Sequence, residues 1–226
     1  MTTTMTERGA RDSRKPQRVP ARLGADRRDA LQELANIGMG AAGAKLACLL
    51  DRFVTLSIPR ISVVDPKQIK EEIERQLGGM PDMAAFRQSF RSDIAGETMV
   101  FFGRDGARDL CEAFYGRKGM AAEGSREMAF RGLLLEVANV LAGACVSGLL
   151  GQLGRVPTFS VPREIDAQQV FGAIARSGNP AAGGALLLDL HIRIEGSRFK
   201  ANLVALLAQS AIDRLCVALD EFLASL

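Results

Sequence analysis

The chain repeats itself, and this limits its fold more than any other feature of the sequence. Laying residues 29–60 over 132–163, a shift of 103 positions, gives thirteen identical pairs. Among them are Leu31/Leu134, Glu33/Glu136, Asn36/Asn139, Gly40/Gly143, Arg52/Arg155, Ser57/Ser160, Pro59/Pro162 and Arg60/Arg163. Further on, at a shift of 105, Leu110-Cys111 falls on Leu215-Cys216. A unit of about 100 residues present twice points to two similar halves related by a pseudo-twofold axis and sharing one core.

Each half reads as helix, strands, helix. Residues 29–50 are helical by spacing, with Leu31, Leu34, Ile37, Ala41, Ala44 and Cys48 recurring at steps of three and four as the expected buried stripe. Residues 53–64 are β-branched and read as a strand with Pro59 at an edge or bend. A charged amphipathic helix over 68–77 and a GGMPD break follow, in a 66–88 segment peculiar to the first copy and given no role. Strands are expected at 86–94 and 97–102, and a short helix at 105–114. The second copy gives a helix at 125–153, strands at 155–165, 185–194 and 199–207, and a helix at 210–226. Short hairpin-like spacings favour antiparallel pairing. The expected fold class is α/β (α+β): a pseudo-twofold duplicated domain with an antiparallel sheet of about six strands and two long helices packed on it.

The net charge of +3 belongs to one end. Residues 1–28 hold eight Arg/Lys against three Asp/Glu, so the rest of the chain carries −2. This stretch is poor in apolar residues and has two prolines, so it reads as a disordered basic tail, with 29–226 a single domain (repeat 1 about 29–118, repeat 2 about 124–226). Without aromatic residues for stacking, the tail is not a convincing nucleic-acid arm. No apolar run of spanning length and no secretory h-region stands out, so a cytoplasmic protein without membrane insertion is expected. Cys48, Cys111, Cys145 and Cys216 form no C-x-x-C pair and read as small buried residues. With one His in the chain, no metal site is expected. That residue, His191, lies in an alternating strand and reads as an ordinary strand position.

ELANIGMGAAGAKL, residues 33–46, holds two candidate signals. Gly38, Gly40 and Gly43 spell G-x-G-x-x-G, but a helix-like segment precedes them and no acidic residue follows in 53–60. In the second copy Leu141 and Val146 replace two of the three glycines. A dinucleotide site needs the strand, the acid and the glycines together, so these glycines read as close-packing positions and no bound cofactor is expected. The second signal recurs: Glu33/Asn36 and Glu136/Asn139, each pair three residues apart on one helical face. Each Asn is followed, after 22 residues, by the proline of a Ser-Ile/Val-Pro-Arg strand.

This arrangement resembles the signature of the CheC/CheX/FliY phosphatases: Asp or Ser, then Glu four residues on, Asn three further, and Pro after 22 more. Asp29, Glu33, Asn36 and Pro59 match it in full. Glu136, Asn139 and Pro162 match in the second copy, with Gly132 at the Asp/Ser position. Two motifs are like CheC or FliY rather than CheX. The resemblance spans residues 26–226. It implies a phosphatase acting on the aspartyl phosphate of a CheY-like response regulator, which brings its own Mg²⁺ and a Lys. Asn36 and Asn139 would hold the attacking water, and Glu33 and Glu136 would pair with the regulator's Lys. A CheD-like deamidase is a partner of some members. The alternative is a non-catalytic regulator-binding or flagellar-switch module of the same fold. FliY and FliM carry extra domains for switch assembly, and the short flanks here are more like a stand-alone CheC-like protein.

Overall fold

A computed structural model describes residues 23–64, 68, 71, 75, 83–115, 123–166, 185–195 and 199–226. In chain order the elements are α1 (Ala25–Leu50), β1 (Val54–Leu56), β2 (Arg60–Val64), β3 (Met83–Arg91), β4 (Gly96–Gly103) and α2 (Arg104–Tyr115). The second half supplies α3 (Glu123–Gln152), β5 (Thr158–Phe159), β6 (Arg163–Ile165), β7 (Ala185–Ile194), β8 (Lys200–Leu207) and α4 (Gln209–Leu223). The expected helix over 68–77 and the GGMPD break lie almost wholly outside the described residues. So does most of the expected tail, although α1 already begins at Ala25, inside the stretch assigned to it.

All ladders among the described strands are antiparallel. The order β1-β7-β8-β4-β3-β5 places two hairpins, β3–β4 and β7–β8, side by side and joined through β4 and β8. At each edge a short strand is split in two. β1 and β2 both pair with β7, and β5 and β6 both pair with β3. The eight segments thus fill the six strand positions expected, with the halves exchanged across a central β4–β8 seam. Pro59 and Pro162 sit in the two breaks, both buried. Proline has no N–H for the ladder, so an edge strand is where it costs least.

The four helices named above contribute to one apolar core with the inward residues of the sheet. α1 gives Leu31, Leu34, Met39 and Leu46, and α3 gives Leu134, Val137 and Leu141. Phe86, Val100, Phe102 and Leu203 come from the sheet, and Leu110, Ile212, Leu215 and Leu219 from the two short helices. By length and composition α3 could cross a membrane. Here Leu133, Leu134, Val137, Ala138, Leu141, Ala142, Ala144 and Cys145 are buried within the protein instead.

The buried stripe of α1 differs from the one expected. It runs through Leu31, Leu34, Ala35, Gly38, Met39, Ala42, Gly43, Leu46 and Leu50, while Ile37, Ala41, Ala44 and Cys48 face solvent. The buried face is centred roughly a third of a turn from the expected one, and it carries the larger side chains Leu31, Leu34, Met39, Leu46 and Leu50. Glycines on this face allow a close approach. A Cβ on Gly148 would stand 2.3 Å from the Gly38 Cα, and one on Gly38 would stand 2.9 Å from the Cys145 carbonyl oxygen, so α1 and α3 cross with backbones nearly touching. A Cβ on Gly43 would meet Leu56 of β1 at 2.8 Å, whereas Gly40 faces open space. Two of the three fingerprint glycines are therefore packing positions.

The duplication extends to the helix ends. Asp51 after α1 (φ 50°) and Gly154 after α3 (φ 69°), again 103 positions apart, both take the left-handed conformation that commonly ends a helix. The fourth cysteine also differs from expectation: Cys111, Cys145 and Cys216 are buried, but Cys48 is exposed because it lies on the outward side of the turned helix.

Candidate functional site

The two motif pairs have the same setting. Glu33 and Asn36 stand one turn apart on α1, Glu136 and Asn139 one turn apart on α3. In each pair the carboxylate is exposed and the amide half-buried. This follows from which face of each helix is packed. The Glu points away from the core, and the Asn lies at the border between solvent and packed surface. Asp29 and Gly132, one turn before the Glu residues, are exposed, and a Cβ added at Gly132 would touch nothing within 4 Å. Among the described residues no group of three or more His, Cys, Asp or Glu could hold a metal ion.

Each half also exposes apolar residues. Ile58 and Val161, the Ile/Val of Ser-Ile/Val-Pro-Arg, are 73% and 74% exposed, each beside its buried proline. Ile37, next to Asn36, is 46% exposed. Gly40 and Gly143, one turn beyond the Asn residues, have no neighbour within 4 Å of a would-be Cβ. Each half therefore carries an exposed carboxylate, a half-buried amide and a glycine on its long helix, and an exposed aliphatic residue before the proline of its split edge strand.

The amides differ in their partners. Asn139 Oδ1 accepts a 2.9 Å hydrogen bond from Gln88 Nε2, and the same nitrogen donates at 2.9 Å to the Ser160 carbonyl. Ser160 is held in turn by Ser89: its N–H donates to the Ser89 carbonyl and its Oγ accepts from the Ser89 N–H, both at 3.0 Å. A polar chain thus runs from the motif helix through β3 to the strand of Pro162. Gln88 is 3% exposed, and its Oε1 has no hydrogen-bond partner among the described residues. An unpaired buried amide oxygen costs about 1–3 kcal/mol. Asn36 has no hydrogen-bond partner among the described residues. Sequence reading missed Gln88, although a polar residue between Phe86 and Phe90 at an inward position of an alternating strand was a visible signal.

Ion pairs tie the motif helices to the rest of the fold at their ends. Arg27, in the first turn of α1, forks onto Asp220 of α4 at 2.7 and 2.6 Å. Arg155, just after α3, bridges Asp93 at 2.9 Å and Glu221 at 3.3 Å. The Arg27 guanidinium draws the Asp220 carboxyl below its ordinary range. Burial pushes the Cys111 and Cys145 thiols up to about 12, so they stay protonated and inert at neutral pH. His191 lies within β7, opposite Asn202 of β8.

No known protein-family pattern and no curated protein matches the chain. Solved structures do. FliY of Thermotoga maritima superposes with a TM-score of 0.59 at 14% identity, over 88% of this chain and 98% of that one. The FliM middle domain of Vibrio alginolyticus gives 0.56 at 13%, over 83% and 99%. The FliM middle domain of H. pylori gives 0.52 at 11%, over 86% and 99%. At such identities the likeness shows the fold: a mixed α/β domain with an antiparallel sheet, of the architecture found in FliY and the FliM middle domain.

Proposed function

We propose that the chain is a cytoplasmic phosphatase of a CheY-like response regulator in chemotaxis signalling, of the CheC type, with two sites. The observation that carries this reading is the recurrence of one solvent-facing constellation, carboxylate plus half-buried amide, on both duplicated helices. Exposed carboxylates are usual on a helix surface; the support lies in both copies keeping the same Glu–Asn spacing and the same exposure. The FliY-like fold supports it, as do the exposed Ile58 and Val161 beside the two prolines.

An aspartyl phosphate is an activated acyl phosphate, so hydrolysis needs little from the enzyme beyond placing a water in line with phosphorus. The water oxygen bonds to phosphorus as the bond from phosphorus to the aspartyl oxygen breaks. The regulator's Asp departs as a carboxylate, and the water proton leaves with inorganic phosphate. Asn36 and Asn139 place the water: an amide binds it without competing as a nucleophile. Glu33 and Glu136 pair with a regulator Lys and fix the docking. The Mg²⁺ travels with the regulator.

A second reading, a regulator-docking or switch module without turnover, is favoured by the FliM middle domain superposing nearly as well as FliY. Steady-state kinetics on a phosphorylated, Mg²⁺-loaded receiver separate the two. On the phosphatase reading Glu33→Gln with Glu136→Gln raises KM and Asn36→Ala with Asn139→Ala lowers kcat. On the docking reading every variant turns over like the receiver alone, while wild type binds it and the Glu variants do not.

A further inference from the structure

The Gln88 amide is oriented by a group that can only accept. The Ser160 carbonyl requires an N–H, which turns Gln88 Nε2 toward it, and the remaining Nε2 proton then faces Asn139. An Asn139 presenting Nδ2 there would oppose donor to donor, so the amide is held with Oδ1 inward and Nδ2 outward. Ser160 itself is pinned by the two bonds to Ser89. The orientation of Asn139 thus follows from backbone geometry two residues before Pro162. In the other half, β7 carries Leu190 at the register position corresponding to Gln88, an amino acid without a donor.

Resting on the phosphatase reading, we infer that Gln88 is a positioning residue for the second site: it fixes Asn139 so that this site holds its water through N–H donation. The water keeps a lone pair for phosphorus, and its protons remain free to leave with the phosphate. Asn36 is under no such constraint among the described residues, so the two sites hold water by different rules. Asn139 touches the water; Gln88 acts only through Asn139.

The test uses the full chain carrying Asn36→Ala, so that turnover runs through Asn139, with an acetyl phosphate-loaded receiver and Mg²⁺. Gln88→Leu is expected to lower kcat about tenfold with KM for the receiver within about twofold, and to have no further effect once Asn139→Ala is present. Asn139→Asp keeps an acceptor for Gln88 but removes the outward donor, and is expected to abolish turnover. Unchanged kcat in Gln88→Leu, or retained turnover in Asn139→Asp, overturns the inference while leaving the phosphatase reading intact. Failure of that reading looks different: wild type then does not accelerate phosphate loss at all. The orientation is still tested in that case, and without reliance on a variant that folds, by side-chain amide exchange in the unsubstituted protein. Both Gln88 NH₂ protons should be protected and those of Asn139 should exchange fast. A protected Asn139 NH₂ overturns the inference.

Discussion

The crossing of α1 and α3 gives the sharpest stability prediction. In Gly148→Ala the new methyl would lie 2.3 Å from the Gly38 Cα and 3.3 Å from its N and C, all backbone atoms that cannot rotate away. The helices must separate by about an ångström, and overpacking of this kind costs about 3 kcal/mol, the upper end of its usual range. The gain in helix propensity from Gly to Ala returns about 1 kcal/mol, for a net loss of about 2. Gly40→Ala, in the same motif region but with nothing within 4 Å of its Cβ, takes the propensity gain alone. The two variants should therefore differ by about 3 kcal/mol, or roughly 6–12 °C in melting temperature for a domain of this size. Circular dichroism melts of the full chain, with urea midpoints and m values alongside, measure this. If Gly148→Ala melts with or above Gly40→Ala, the close crossing is wrong and with it the outward orientation of Glu33 and Asn36.

Other expectations follow from particular contacts. Asp220 is held below its unfolded pKa by Arg27, so the pair stabilises the fold above about pH 4 and ceases to as pH falls through the lowered value. Asp220→Asn should narrow its stability gap to wild type between neutral pH and pH 2, and added salt should shrink the gap at neutral pH, as both groups are exposed. At pH 8 iodoacetamide should modify Cys48 first and leave Cys111 and Cys145 untouched until the protein is denatured; peptide mass spectrometry that finds Cys145 labelled as fast as Cys48 contradicts the packing. Gly132→Ser completes the second motif at a position with open space, so it should raise the unfolding free energy by about 0.5 kcal/mol and increase turnover in an Asn36→Ala background.

Much of the fold was legible because the signals that define it are periodic or repeated. The alternation of 185–194 and the β-branched and aromatic run ending 97–102 are both strand signals, and the shift of 103 already implied two halves around one sheet. The rotation of α1 was not legible. Apolar residues lie all round α1, so the stripe through Ile37, Ala41 and Ala44 competes with the one through Met39, Leu46 and Leu50, and the close approach at Gly38 and Gly148 goes with the second. The split edge strands were half visible, since Pro59 and Pro162 announced a break but not that both pieces would pair with the same neighbour. At the candidate site the residue types and spacing were plain from the repeat. Gln88 was not, because its relation to Asn139 spans 51 positions and exists only once β3 lies under α3.

The central claim is that both amides catalyse phosphate loss from a response regulator. Its most direct measurement is the rate of that loss from a phosphorylated CheY-like receiver in Mg²⁺, with wild type and with the Asn36→Ala/Asn139→Ala double variant. The account predicts acceleration by wild type and a fall of about 100-fold or more in the double variant, the scale expected when positioned polar groups are removed from the reacting centre. A double variant that bound the receiver and still accelerated the loss as wild type does would contradict it.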